Sequence, residues 1–174
     1  FKFPPRGQET TIEAIVVQVG RTGALTPVAV LALAEIGGVT VTRATLHNRE
    51  DLARKDVRPG DRVLVVRAGD VIPDVVERVE VAGAIRREPF AMPDRCPECG
   101  SAVVQEGAID RCPNGLGCPA QLKGAIRHFG SRDALDIRGL GRETVDELVA
   151  RRLVTTVADL LALDAATVMT LDGF

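Results

Sequence analysis

The chain contains no tryptophan and no tyrosine, and five phenylalanines make up its whole aromatic content, 3% of 174 residues. Its cores must be built from Val, Leu, Ile and Ala, within a hydrophobic share of 45%. No apolar run reaches the roughly 20 residues that a helix needs to cross a bilayer, so a membrane-spanning helix is excluded and the chain reads as soluble and intracellular. An excess of one charge is also missing. The net charge is −2, with +1 in residues 1–95, 0 in 96–130 and −3 in 131–174. That balance argues against a generic polyanion binder and leaves any nucleic-acid contact to local geometry. Lysine is scarce: Lys2, Lys55 and Lys123 are the only ones, and the other basic residues are arginines. Arginine offers a planar fork suited to bidentate phosphate contact, although an arginine-rich set also follows from genomic base composition alone. There is no initiating methionine. The chain opens on Phe1-Lys2-Phe3-Pro4 and stops at Leu171-Asp172-Gly173-Phe174, so it reads as a fragment. Its length fits one large domain or two to three small ones.

Cysteine occurs at four positions only, Cys96, Cys99, Cys112 and Cys118, spaced C-x2-C and C-x5-C with twelve residues between the pairs. Two close pairs of soft ligands suit the tetrahedral corners of a zinc ion. Cys96-Pro97-Glu98-Cys99-Gly100 reads as a metal knuckle, with Gly100 free to take the positive φ of a tight turn. Four thiolates leave no open coordination position, so the metal is expected to hold structure rather than activate water. The alternatives are two disulfides or four unrelated thiols. Cys96 and Cys99 stand too close for an easy disulfide, and no secretory leader precedes them.

Ahead of the cysteines the pattern is β. Residues 11–19 are rich in β-branched side chains and predict a strand. Residues 24–34 predict a second, in which Pro27 favours an edge or a bulge, and residues 39–46 a third. Asn48 can cap a short helix with Glu50 and Asp51 in its first turn, ending before the turn signal at residues 58–61. Residues 63–66 and 75–81 give two more strands. Three strands, a short helix and two strands match the element order of an OB-fold, a five-stranded Greek-key barrel.

Behind the cysteines the pattern is helical. Leu122, Ala125, Ile126 and Phe129 share one face of a helix from Pro119. Ile137-Arg138-Gly139-Leu140-Gly141 then leads into a second helix carrying Val145, Leu148 and Val149. Apolar-x-Gly-apolar-Gly between two helices reads as a helix-hairpin-helix, in which Gly139 and Gly141 allow a tight turn and N–H groups at the second helix can hold a DNA phosphate. Leu171-Asp172-Gly173-Phe174 repeats the pattern 34 residues later, without the second glycine. A plain αα-hairpin is the alternative. His47 and His128 have no identifiable nucleophile partner, and His128 is expected to be structural.

An OB-like barrel, a four-cysteine module and helix-hairpin-helix repeats, in that order, resemble the C-terminal part of a bacterial NAD⁺-dependent DNA ligase. Phe1-Lys2-Phe3-Pro4 is similar to the end of that family's adenylation domain. The strings at residues 18–23 (QVGRTG), 67–73 (RAGDVIP) and 44–48 (ATLHN) are similar to its barrel signatures. One departure is visible: Leu31-Ala32-Leu33-Ala34 stands where relatives often have Leu-Glu-Pro-Val. The resemblance implies a multidomain chain: residues 1–6 ending an adenylation domain, 7–88 an OB-fold, 89–120 a four-cysteine zinc finger, and 121–174 a truncated helix-hairpin-helix domain. It also implies a parent enzyme that seals nicks bearing 3′-hydroxyl and 5′-phosphate ends in duplex DNA during replication and repair. NAD⁺ and Mg²⁺ or Mn²⁺ would be its cofactors and structural Zn²⁺ a further metal. Lys2 would contact the adenylate phosphate, and Arg21, Thr22, Arg67, Val71 and Ile72 the nicked duplex. The adenylation domain of the same chain would be its partner, in a cytoplasmic, nucleoid-associated monomer. The family's adenylated lysine lies in a K-x-D-G motif that does not occur here, so no catalytic residue is expected in these 174 residues and self-adenylation is not expected of them. The rivals are a non-enzymatic repair module that binds DNA through zinc and helix-hairpin-helix elements, and an RNA-binding barrel with a zinc ribbon.

Overall fold

The computed structural model describes residues 6–67, 73–83 and 86–173, with side chains described for all but Arg6 and Arg67. Two compact units emerge. Neither is a continuous stretch of chain. The first takes Phe1–Gln18, Leu25–Asp94 and Gln105–Asp110, and the second Val19–Ala24, Arg95–Val104 and Arg111–Phe174.

The first unit is the expected barrel. Strands β1 (Arg6–Val19), β2 (Ala24–Ile36), β3 (Val39–Thr45), β4 (Arg62–Arg67) and β5 (Asp74–Val79) pair in the order β1-β4-β5-β3-β2, and β2 pairs back to β1, so the sheet closes on itself. The β1–β4, β4–β5 and β2–β3 ladders are antiparallel. Strands β3 and β5 meet in parallel at Thr45 and Asp74. This is the OB-fold that the element order implies, and closure removes the free edges an open sheet would expose. The interior is aliphatic: Ile12, Leu46, Val63, Val65 and Val75 are wholly buried. In β4 the alternation is strict, with Val63 and Val65 inward and Arg62 outward on Glu9 at 3.1 Å.

Pro27 behaves differently from its sequence signal. It is buried inside β2, which is flanked by other strands and is no edge. Its missing N–H falls just before the first β2–β3 pair, Val28 with Thr45, and its carbonyl accepts from Leu46 N at 2.9 Å. The register shift comes later, between Val30 and Ala34. Leu33, within the departure from the family pattern, is 78% exposed there.

Helix α1 (Arg49–Lys55) follows β3 as expected. Asn48 Oδ1 accepts from Asp51 N at 2.8 Å, which satisfies one of the free N–H groups of the first turn. Asp56 ends the helix in a left-handed conformation. Asp61 is buried, accepts from Arg58 N at 3.0 Å, and receives the Arg86 guanidinium at 2.9 Å. The Arg86 side chain also reaches Asp56 at 2.7 Å. Strands β6 (Val104–Glu106) and β7 (Ile109–Arg111) extend the sheet beside β2. Asp110, 2% exposed, takes a bidentate grip from Arg49: Nε at 3.0 Å from one oxygen and Nη2 at 3.0 Å from the other.

From Pro119 onward the second unit is helical. Helices α2 (Pro119–Phe129), α3 (Arg142–Ala150) and α4 (Ala165–Val168), with 3-10 turns at Gly115–Gly117 and Val157–Ala162, carry it. Leu122, Ile126, Val145, Leu148, Val154 and Leu171 form its buried apolar cluster. The expected face of α2 is therefore present, although Ala125 and Phe129 are only half-buried. Two buried positions of α2, Gln121 and Gly124, were not on that face.

Candidate metal centre and nucleic-acid surface

The first cysteine pair sits on the predicted knuckle. Cys96 N donates to Ser101 O at 2.8 Å and Gly100 N to Cys96 O at 2.9 Å, with Gly100 at φ +74°. The second pair is set by tighter turns. Gly117 N donates to Asn114 O and Cys118 N to Gly115 O, both at 3.0 Å, and Cys118 then stands at the N-cap of α2 with Pro119 in its first turn. All four Sγ atoms lie within 4.8 Å of one another. Cys96 and Cys118 are 3.9 Å apart and Cys99 and Cys112 3.5 Å. Sulfurs about 2.3 Å from a tetrahedral zinc would stand about 3.8 Å apart, so the cage fits that ion.

The electrostatics point the same way. Burial pushes the Cys96, Cys112 and Cys118 thiols up, although backbone N–H groups of Glu98 and Cys99, of Asn114, and of Gln121 and Ala120 respectively offset part of it. The Ser101 hydroxyl, 3.4 Å from Cys99 Sγ, brings that thiol down to about 6. Four thiols, three of them buried, resisting ionisation and facing N–H donors suited to a thiolate, are what a bound cation would convert to four thiolates. No disulfide forms among them.

A second group with ligand chemistry, His47, Asp51 and Asp74, is an ion-pair network. Lys55 Nζ lies 2.8 Å from Asp51 and 3.0 Å from Asp74, and His47 Nε2 lies 3.1 Å from Asp74. Burial pushes Asp51 up, but hydrogen bonds from Lys55 and Arg54 outweigh it and hold the carboxyl below its usual range. The lysine ammonium supplies the positive charge that a metal would. His128, expected to be structural, is exposed at the end of α2.

Arg21 and Thr22 are exposed at the tip of the turn after β1, closed by Gly23 N to Gly20 O at 3.0 Å and Gly20 N to Ala24 O at 2.9 Å. Arg21 has no ion-pair partner among the described residues. Gly139 takes φ +82°, and Thr144 Oγ1 and Gly141 N close on its carbonyl at 3.0 and 2.9 Å. Gly141 is the N-cap of α3 with no side-chain cap, so its first-turn N–H groups have no side chain over them. Gly173, at the matching position of the sequence repeat, also takes a positive φ, +90°. Arg67 ends β4, but its side chain is not described; Lys2, Val71 and Ile72 lie outside the described residues.

Sequence reasoning missed Gln121 and Gly124. A glycine inside a helix costs roughly 1 kcal/mol relative to alanine, so one that persists has a packing reason, and that was the available signal. It also missed Asp110, whose burial depends on an arginine 61 residues away and leaves no local pattern.

Residues 9–84 match the family model of the NAD-dependent DNA ligase OB-fold domain, and residues 95–120 that of the NAD-dependent DNA ligase C4 zinc finger domain. Among full sequences, the chain is 58% identical over 94% of its length to a DNA ligase of Methylococcus capsulatus, covering 24% of that protein. It is 52% identical over its whole length to a DNA ligase of Syntrophobacter fumaroxidans, covering 26% of it. A DNA ligase of Haloferax volcanii is 53% identical over the whole chain, which covers 24% of it. The chain thus spans about a quarter of the length of the curated relatives it matches.

Proposed function

Because the chain belongs to the NAD-dependent DNA ligase family, we propose that it is the part of such an enzyme that holds the nicked duplex while AMP transfer and strand joining proceed at a lysine outside these residues. The parent enzyme would join a 3′-hydroxyl to a 5′-phosphate, with NAD⁺ supplying the AMP and Mg²⁺ or Mn²⁺ assisting phosphoryl transfer when bound. Lys2 would contribute a contact to the adenylate phosphate, beside an adenylation domain of the same monomeric chain. Arg21 and Thr22 are assigned to the phosphate backbone, Arg67, Val71 and Ile72 to the duplex beside the nick, and the N–H groups following Gly139 and Gly141 to a flanking phosphate. In this reading residues 7–88, 89–120 and 121–174 are barrel, zinc finger and the start of a helix-hairpin-helix domain. Zinc is structural, and Cys96, Cys99, Cys112 and Cys118 are its ligands. Their full coordination shell gives the ion no position for substrate.

The observation that carries the reading is Arg21: an exposed guanidinium without a carboxylate partner among the described residues, on the tight turn between β1 and β2. Arg21→Ala in the full-length enzyme should weaken binding to a nicked duplex about tenfold. The salt slope of binding should fall by about one, as loss of one phosphate contact requires. Self-adenylation from labelled NAD⁺ should stay intact. Equal loss of self-adenylation and sealing would refute the assignment. A covalent AMP adduct on these 174 residues alone would refute the placing of the adenylated lysine outside them.

A further inference from the structure

The turn that carries Arg21 and Thr22 is not held by the barrel strands alone. It belongs to the same compact unit as the cysteines and α2, and three groups of that unit fix its backbone. Cys112 N donates to Gly23 O at 2.8 Å, and the Arg111 guanidinium donates to the neighbouring carbonyl of Thr22. Gln121, buried in the first turn of α2, donates from Nε2 to Cys112 O at 3.1 Å. Its Oε1 lies against Gly23, where a Cβ would stand 3.0 Å from it and 2.5 Å from Cys112 O. Gly23 is at φ +82°, so both conformation and space demand glycine. On the next turn of α2, a Cβ on Gly124 would come within 2.9 Å of Arg21 Cα and 2.9 Å of Arg21 Cβ.

The peptide groups on both sides of Cys112 are thus used: one N–H on the turn, one carbonyl on α2. We propose that Gly23, Gln121 and Gly124 are positioning residues that fix Arg21 and Thr22 for the duplex, and that the four-cysteine site acts on DNA through this turn. The inference rests on the assignment of Arg21 to DNA given above.

Gly124→Ala tests the positioning directly, because its added methyl meets the Arg21 backbone. Alanine is the better helix former, so α2 itself gains, while its methyl must push the Arg21 backbone away. In the full-length, zinc-loaded protein, nicked-duplex binding of Gly124→Ala should fall about tenfold, with one zinc per chain retained and only a modest drop in melting temperature, because the gain in helix propensity offsets part of the clash. Gln121→Met, which keeps volume and helix propensity but removes the amide, should weaken binding several-fold. In either background, adding Arg21→Ala should cost little more, because the arginine is already displaced. Full additivity, or unchanged binding by both variants while Arg21→Ala alone is impaired, overturns the positioning role and leaves the DNA assignment standing. An Arg21→Ala protein that binds normally removes both.

Discussion

The barrel unit and the cysteine–helix unit reach order by different routes. In the barrel, strand closure and burial suffice: its most enclosed side chains are aliphatic, and its buried carboxylates Asp61 and Asp110 each meet an arginine. In the second unit burial drives three of the four thiols toward the neutral form, so the thiolates that zinc binds form only as the ion displaces their protons. Hydrophobic burial needs nothing but water to leave, whereas a four-cysteine site is a folding element conditional on supply of its metal.

The contrast breaks most decisively if zinc removal unfolds everything at once. Structural zinc in isolated fingers is worth on the order of 10 kcal/mol. Chelation or Cys112→Ser should therefore abolish amide protection in residues 96–104 and 111–130, and with it protection of the turn at residues 19–24. The barrel strands should keep theirs by hydrogen exchange; simultaneous loss would erase the distinction. Next in size is Ile12→Ala, which removes a fully buried side chain. It should cost about 2–5 kcal/mol in denaturant unfolding of the barrel, at unchanged zinc stoichiometry. Asp110→Asn should cost about 1–3 kcal/mol, since it weakens a charged hydrogen-bond pair at a buried carboxylate. Arg49 is 40% exposed and keeps partial hydration, which places the effect below a fully buried pair. If that loss appears in zinc affinity and not in barrel stability, residues 105–110 have been assigned to the wrong unit. Smallest is an acid effect confined to the second unit. Backbone N–H groups of Thr155 and Thr156 hold the Asp159 carboxyl at about 2. Its folded value lies below the unfolded one of about 4, so its contribution is complete above about pH 4 and lost as pH falls toward 2. Asp159→Asn should flatten the melting temperature of this unit across that window, and an unchanged profile would remove the role.

The barrel was legible because its code is local and repeated. Two-residue alternation, the Asn48 cap and the turn at residues 58–61 each specify a short piece, and pairing them leaves few topologies. The cysteine cage was legible for a different reason: ligand spacing reports a shared target. Pro27 misled because a proline only needs its missing donor to face no partner, and the ladder that decides this is non-local. Gln121, Gly124 and the Arg49–Asp110 pair were opaque for the same cause. Each is explained by a group distant in sequence, and only the interior glycine of α2 left a mark that could be read without the fold.

Residues 19–24 and 105–110 each belong to the unit that their immediate neighbours in sequence do not. A cut after Asp94 would leave one product without Asp110 and the other without Gly23, so neither would be a complete part. Such a reciprocal loan makes the pair heritable only together: recombination that swaps the barrel or the finger between paralogues inherits half of two structures, whereas one that moves residues 6–173 as a block does not.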